Sequence, residues 1–239
     1  MIVVLASGSG RCATQTMGTQ FGNIKGVLNF HEGRSLWQTV HKRYGIAPNL
    51  SCGNPDARDY NLAALRKRRN KFMGNPGQFA YVESAHYFAL NLDLVELVFP
   101  EARIIHLYRD PVEVVTSYLF HAGGHIYGDR GKHPRAAHGW DNWGDCYRLD
   151  DHIKSRAEGF AQYWQDTNVA LSKTALPRLL VQTNELQSAK TWAMVLEFTG
   201  IEGEIPSPKS KFNARSPKHK TQPTHETLRA CEQICTWRP

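Results

Sequence analysis

Short apolar runs alternate with longer segments of mixed polarity along most of the 239-residue chain. Five of the runs have the length and apolar content of buried strands, at residues 2–6, 26–30, 79–84, 103–108 and 178–183. Other segments predict helices, at residues 33–43, 59–71, 90–99, 150–172, 185–199 and 224–235, near Ala13 and from Pro111. Strands that alternate with helices predict a three-layer α/β fold with a central, mainly parallel sheet.

Two further segments lack helical or strand periodicity. Residues 121–143 are rich in Gly, His and Asp, and so long an irregular stretch is typical of a lid or an acceptor-binding loop. Residues 203–223 are rich in Pro, Lys and Ser and predict an extended basic segment. The length of the chain suits one domain with a sizeable core, so we assign residues 1–239 to a single domain.

An excess of positive charge narrows the ligand classes. The chain has 29 Lys and Arg against 22 Asp and Glu, which gives a formal net charge of +7. This surplus favours anionic ligands such as nucleotides, sulfated sugars or nucleic acid. Charge alone selects none of them, and many basic proteins bind nothing acidic.

The cysteines and histidines indicate neither a disulfide framework nor a metal site. The five cysteines include no Cys-x-x-Cys pair, and no standard zinc spacing relates His121, His125, His133 and His138. No run approaches the roughly 20 apolar residues of a membrane span, and the first apolar run is too short for a signal peptide. We therefore expect a cytoplasmic protein without a metal or a membrane span.

The first strand runs directly into a glycine-containing loop. Residues 8–16 read Gly-Ser-Gly-Arg-Cys-Ala-Thr-Gln-Thr, and a helix follows. Successive backbone N–H groups and the positive end of a helix make such a loop a cradle for anions. Arg11 adds a fixed charge, and Thr14 and Thr16 add hydroxyl donors. The alternative is a plain turn, and a Walker A loop is excluded because Gly-Lys-Ser/Thr is missing.

This loop resembles the phosphosulfate-binding loop of sulfotransferases that use 3′-phosphoadenosine 5′-phosphosulfate (PAPS). In that family a basic residue precedes Ser-Gly-Thr-Thr, and Arg11 takes the basic position. The resemblance implies that the 5′ end of PAPS is bound by Ser9, Gly10, Arg11, Cys12, Ala13, Thr14, Gln15 and Thr16. Cys12, Ala13 and Gln15 depart from the commonest pattern. Cys12 replaces a hydroxyl donor, although its backbone N–H remains.

A second signature follows the strand at residues 103–108. Arg109 ends the strand, Pro111 opens a helix, and Ser117 lies eight residues after the arginine, about two helical turns along. The carboxyl ends of parallel strands share one sheet edge, so this segment and the glycine loop should be neighbours. In the sulfotransferase family an arginine and a serine at this spacing complete the site for the 3′-phosphate of PAPS. The resemblance therefore implies that Arg109 and Ser117 bind the 3′-phosphate. The alternative is that Arg109 pairs with Asp110 or caps the helix.

The resemblance covers roughly residues 2–200 and implies a P-loop NTPase-like sulfotransferase fold. The implied activity is in-line transfer of a sulfuryl group from PAPS to a hydroxyl or amine, without a metal. A small molecule, a glycan and a protein all remain open as acceptor. Thr183 stands where family members often carry a tyrosine near the adenine.

Two other functions compete with this interpretation. A P-loop-type nucleotide or small-molecule kinase would share the fold. The missing Walker lysine argues against a kinase, and so do Arg109 and Ser117, because ATP has no 3′-phosphate for them to bind. A basic nucleic-acid-binding protein would explain the positive charge, but not the two signatures. We therefore expect no nucleic-acid partner.

The reaction needs a base to take the proton of the acceptor and cations to hold the charge on the leaving phosphate. Arg11 is the candidate for the second role. Candidate bases are Glu32, His31, Glu83 and His86. Protein-tyrosine sulfotransferases use a glutamate at the end of the strand after the first helix, and that resemblance favours Glu32, with His31 second. The alternative is that Glu32 and His31 are solvent-facing turn residues.

Overall fold

The computed structural model describes residues 1–31, 55–74, 76–119, 155–205 and 222–239. Four sequence predictions lie outside the described residues, wholly or mostly. They are the helix at 33–43, the loop at 121–143, most of the basic segment at 203–223, and the position of Glu32.

The centre of the molecule is a sheet of five parallel strands, which confirms the predicted fold class. The strands are β1 (Ile2–Ser7), β2 (Val27–His31), β3 (Ala80–Ser84), β4 (Arg103–Tyr108) and β5 (Arg178–Gln182). Each lies within one or two residues of its prediction. Their order across the sheet is β2-β3-β1-β4-β5, so β1 is central and its carboxyl end lies between those of β3 and β4.

Seven α-helices are described, and most match the sequence prediction. They are α1 (Thr14–Phe21), α2 (Pro55–Phe72), α3 (Leu92–Val98), α4 (Pro111–Leu119), α5 (Arg156–Ser172), α6 (Ala189–Thr199) and α7 (His225–Ile234). The predicted starts of α2 and α5 were wrong by four and six residues. The predictions were also wrong at the starts of α3 and α6, by two and four residues. Each of these follows a 3₁₀ helix, at His86–Asn91 and Thr183–Gln187. The first 3₁₀ helix is held to the end of β1, since the Ser7 hydroxyl accepts from the Ala89 N–H at 3.1 Å.

The helices form a layer on each face of the sheet. On one face α1 and α6 meet through the rings of Phe21 and Trp192, whose centroids are 6.2 Å apart. On the other face Tyr81 of β3 stacks between Phe72 of α2 and Phe99, which follows α3. Because side chains alternate along a strand, neighbouring residues of β3 serve different layers.

The layer that contains α2 also holds a buried ion pair. Arg68 of α2 reaches Glu83 of β3 with 2.8 Å between Nη1 and Oε1, and the two side chains are 4% and 0% exposed. The Tyr81 hydroxyl donates to the second oxygen of the same carboxylate. A carboxylate with these partners holds α2 against the sheet.

Helix α5 begins with a capping box and anchors the C-terminal segment. The Ser155 hydroxyl accepts from the Glu158 N–H at 3.2 Å, while the Glu158 carboxylate accepts from the Ser155 N–H at 2.9 Å. Further along α5, the Gln165 side-chain oxygen accepts from the backbone N–H groups of Thr236 and Trp237, at 2.9 and 2.8 Å. The C-terminal segment is therefore held against the layer that covers β4.

Candidate anion-binding site

The loop between β1 and α1 has an unusual backbone. The φ angles of Gly10, Arg11 and Ala13 are 71°, 54° and 59°, so two residues with side chains adopt the left-handed conformation. That conformation costs about 1–2 kcal/mol for each such residue. Turns that contain left-handed residues occur in loops that bind anions through successive backbone N–H groups. Strain of this kind is a reason to look for a ligand at the loop.

Two glycines of the loop are required by close packing. A Cβ atom on Gly8 would overlap the carbonyl oxygen of Leu107 in β4, and a Cβ on Gly10 would overlap the Tyr118 hydroxyl of α4. The loop therefore lies directly against the end of β4 and against α4.

Three hydrogen bonds join the loop to the second signature. Arg11 Nε donates to Ser117 Oγ at 3.1 Å, although the two residues are 106 positions apart. Arg109 Nη1 donates to the Arg11 carbonyl at 3.3 Å, and the Tyr118 hydroxyl donates to the Ser9 carbonyl at 2.6 Å. The structure thus brings together the two segments that the strand-end argument predicted to be neighbours.

Arg109 also has an acidic neighbour, though not the one considered in the sequence. Its Nε donates to Glu113 at 2.6 Å, and the two side chains are 33% and 58% exposed. Asp110 instead caps α4, because its side chain accepts from the Glu113 N–H at 3.1 Å. An exposed pair four residues apart on a helix contributes only about 0.3–0.5 kcal/mol. A bound anion would compete easily for this guanidinium.

The side chains of Ser9 and Cys12 point into the protein. Both residues are fully buried, and the Ser9 hydroxyl lies 3.3 Å from Cys12 Sγ. Burial raises the pKa of the Cys12 thiol to about 11, although the hydroxyl of Ser9 and the charges of Arg109 and Arg11 act in the opposite direction. Cys12 is therefore a neutral packing group.

The first turn of α1 completes the cradle. Ala13 is the N-cap and makes no side-chain capping bond, and the first turn contains no acidic residue. The positive end of the helix dipole therefore faces the loop without a capping side chain. Thr14 and Thr16 are largely buried, at 7% and 6% exposure, while Gln15 is half-buried.

His31 lies at the end of β2, beside the second turn of α1. Its Nδ1 is 3.1 Å from the Ser84 carbonyl oxygen and 3.2 Å from the Ser84 hydroxyl. With a proton on Nδ1 the ring donates to the Ser84 carbonyl, and without one it accepts from the Ser84 hydroxyl. Gly18 allows α1 to come this close, because a Cβ there would be 3.1 Å from His31 Cβ. The contacts with Ser84 and the close approach of α1 fix the position of the His31 ring.

The other candidate bases differ in their surroundings. His86 lies next to the loop, with its Cβ 3.7 Å from the place that a Cβ on Gly10 would occupy. Glu83 is committed to the buried ion pair with Arg68 on the opposite face from His31 and Ser84, which removes it from the candidates. Glu32 lies outside the described residues.

Sequence reasoning missed several residues that shape the site. Tyr118 follows Ser117 directly, and its position beside a signature residue was an available signal. Trp164 Nε1 donates to the Arg109 carbonyl at 2.9 Å from 55 positions away, and no local pattern indicates this contact. Thr183, which stands where family members often carry a tyrosine near the adenine, has no ring to stack on a base. Its hydroxyl instead donates to the Tyr108 carbonyl at 2.9 Å.

The described residues form neither a metal site nor a membrane-spanning helix. Within residues 1–31, 55–74, 76–119, 155–205 and 222–239, no three His, Cys, Asp or Glu side chains lie close enough together to hold a metal ion. In the same part of the chain, no helix has both the length and the apolar content needed to cross a membrane.

Comparison with known proteins gives a structural similarity only. No protein-family model and no curated protein sequence matches the chain. Among solved structures, the chain is similar to a sulfotransferase from Alicyclobacillus acidocaldarius, with 13% sequence identity and a TM-score of 0.48. The similarity covers 90% of this chain and 86% of that chain.

Proposed function

We propose that this protein is a sulfotransferase that moves the sulfuryl group of PAPS to a hydroxyl or amine acceptor. The observation that carries the proposal is the contact of the two signatures, in which Arg11 donates to Ser117 and Arg109 donates to the Arg11 carbonyl. Two cations and a strained N–H-lined loop then share one edge of the sheet. A ligand with separate anionic groups at its 5′ and 3′ ends suits such an arrangement.

The residues present fit this ligand at both ends. The glycine-tight loop, the first turn of α1 and Arg11 would hold the 5′-phosphosulfate, with Thr14, Gln15 and Thr16 in that first turn. Arg109 and Ser117 would hold the 3′-phosphate. When bound, PAPS supplies an activated sulfuryl group on a phosphate leaving group. Arg11 would stabilise the negative charge that develops on that phosphate as the bond breaks.

Three residues are candidates for the base that takes the proton of the acceptor. Glu32 follows His31 directly in the sequence and remains our first candidate. His31 is the second candidate, and its Nδ1 contacts Ser84 at the end of β3. His86 is the candidate nearest to the loop. Each is consistent with a base at the carboxyl edge of β2 and β3.

Binding of adenosine 3′,5′-bisphosphate, the product that PAPS leaves behind, is the direct test. At a hundred times its dissociation constant it should stabilise the fold by about 2.7 kcal/mol, measured as a shift of the thermal unfolding midpoint. ATP with Mg²⁺ should give a smaller shift. A large shift with ATP and none with the bisphosphate would favour the kinase. Binding of duplex DNA with a steep salt dependence, and no bisphosphate binding, would favour a nucleic-acid-binding protein.

The base is identified by turnover, once labelled PAPS has revealed an accepted hydroxyl or amine. Glu32→Gln keeps the shape of the side chain and removes its basicity, so the rate constant should fall by about 10²- to 10⁴-fold with bisphosphate binding unchanged. His31→Gln and His86→Gln are the matched variants. If the Glu32 variant keeps near-normal turnover and one of the histidine variants loses it, that histidine is the base.

A further inference from the structure

Arg109 stands at the point where the β-ladder ends. The last paired residues of β4 and β5 are Tyr108 and Gln182, so the carbonyls of residues 108 and 109 lie at the end of regular pairing. Both are bonded to side chains from other elements. The Thr183 hydroxyl donates to the Tyr108 carbonyl, and the Trp164 indole donates to the Arg109 carbonyl, each at 2.9 Å.

These two carbonyls belong to the two peptide groups that flank Arg109. Each peptide group is a rigid plane, and the two planes together determine the direction of the Cα–Cβ bond between them. A donor on each plane therefore fixes the direction in which the arginine side chain leaves the backbone. The guanidinium reaches the Arg11 carbonyl at the loop from this fixed origin.

The Trp164 ring is itself immobilised by the C-terminal segment. Trp237 packs edge-on against Trp164, with ring centroids 5.7 Å apart, and also against Tyr108, at 5.9 Å. The hydrogen bond from the Trp237 N–H to the side-chain oxygen of Gln165 holds that segment in place. Trp164 is 2% exposed, so its indole N–H has a lasting orientation toward Arg109.

We infer that Trp164 and Thr183 are positioning residues that aim Arg109 at the 3′-phosphate, and so set the preference for a 3′-phosphorylated nucleotide. The inference rests on the proposed function, since it assumes that Arg109 binds this phosphate. It assigns to Thr183 a role through the backbone, in place of a contact with adenine.

The chain contains a matched control for the tryptophan. Trp192 is 1% exposed and its Nε1 donates to the Leu186 carbonyl at 2.9 Å, the same kind of bond at the same length. It lies in α6 on the other face of the sheet, where Phe21 of α1 packs against it. Trp192→Phe therefore removes an equivalent buried hydrogen bond away from Arg109.

The experiment measures the dissociation constants of adenosine 3′,5′-bisphosphate and of adenosine 5′-monophosphate by calorimetry. In Trp164→Phe and in Thr183→Val, the preference for the bisphosphate should fall by about 3- to 10-fold, the range of one neutral hydrogen bond. Monophosphate binding should hardly change. Trp192→Phe should lower the thermal midpoint as much as Trp164→Phe does and leave the preference intact.

The outcomes separate the two proposals. If the unmodified protein binds both nucleotides equally, the proposed function falls, and this inference with it. If the unmodified protein prefers the bisphosphate and both variants keep that preference, or lose affinity for both nucleotides equally, the inference is overturned and the proposed function stands. Should Trp164→Phe fail to fold, the Thr183→Val result decides, because that residue is only half-buried.

Discussion

Arginine serves two purposes in this molecule, and the contrast between Arg68 and the pair Arg11 and Arg109 shows the difference. Arg68 is enclosed between α2 and the sheet, with a carboxylate at 2.8 Å that is itself fully buried. Arg11 and Arg109 are half-buried at the sheet edge, where Arg11 donates to a hydroxyl and Arg109 shares an exposed carboxylate with solvent.

The comparison teaches that the partner, more than the charge, indicates the role of a cation. A buried carboxylate holds its arginine strongly, because separating the pair would leave a charge in a medium that solvates it poorly. Hydroxyl, carbonyl and exposed carboxylate partners are held weakly and can give way to a ligand. Arg68 is therefore structural, and the edge arginines are candidates for binding.

The largest expected effect concerns the buried pair. Glu83→Gln leaves the Arg68 charge buried without its carboxylate, and should lower the free energy of unfolding by about 3–5 kcal/mol, measured by urea denaturation. Bisphosphate binding should be unchanged at temperatures where the variant is folded. The control is Glu101→Gln, which breaks the partly exposed pair with Arg69 and should cost about 1 kcal/mol or less. Comparable losses in both variants would contradict the distinction.

The next largest expected effect is a pH dependence of stability that comes from the buried imidazole of His106. Like the Arg68 site, this imidazole shows that a buried charge without a carboxylate partner is unfavourable. His106 accepts from Arg178 Nη1 at 2.9 Å and contacts Asn168 Oδ1 at 2.8 Å. Burial, with a further contribution from the Arg178 charge, lowers its pKa from 6.5 to about 4, although the Asn168 hydrogen bond opposes the shift. Between these pH values the unfolded chain binds the proton and the folded protein does not.

The free energy of unfolding should consequently fall as the pH drops from about 6.5 to about 4, by roughly 3 kcal/mol from this residue. His106→Gln cannot take up the proton, so its unfolding free energy should depend less steeply on pH over that range. Urea midpoints at several pH values measure the slope. Equal slopes in both proteins would show that His106 is not the group responsible.

The smallest expected effect sharpens the other side of the comparison. Arg109→Ala should weaken bisphosphate binding by about 1.5–3 kcal/mol, the value of a hydrogen bond to a charged group, and should weaken adenosine 5′-phosphosulfate binding much less. Arg69→Ala, which removes a surface cation elsewhere, is the control for net charge. Equal losses for the two nucleotides would mean that Arg109 does not recognise the 3′-phosphate.

Much of the fold was predictable because parallel strands covered on both faces read as plain apolar runs. The same regularity predicted that the loop after β1 and the segment after β4 would meet, since both follow carboxyl ends of neighbouring strands. The starts of α3 and α6 were not predictable from periodicity. Contacts with another element, such as the bond between Ser7 and Ala89, decide where such a helix begins.

The candidate site was predictable only in part, and the misses share one cause. Arg11, Arg109 and Ser117 stand in local patterns, whereas Trp164 acts from a distant helix that no pattern connects to them. Glu83 was grouped with the possible bases because its neighbour in space, Arg68, is 15 residues away. A charged residue inside an apolar strand was nonetheless a usable signal of a buried partner.

The central position of β1 in the sheet has a consequence for folding during synthesis. The strand is synthesised before the other four strands of the sheet, and its two neighbours begin at Ala80 and Arg103. Both edges of this apolar segment stay without their native partners while the intervening chain is made, and such distant pairings form slowly. An apolar strand that waits for both of its partners is exposed to wrong association until residues 80–84 and 103–108 have been made.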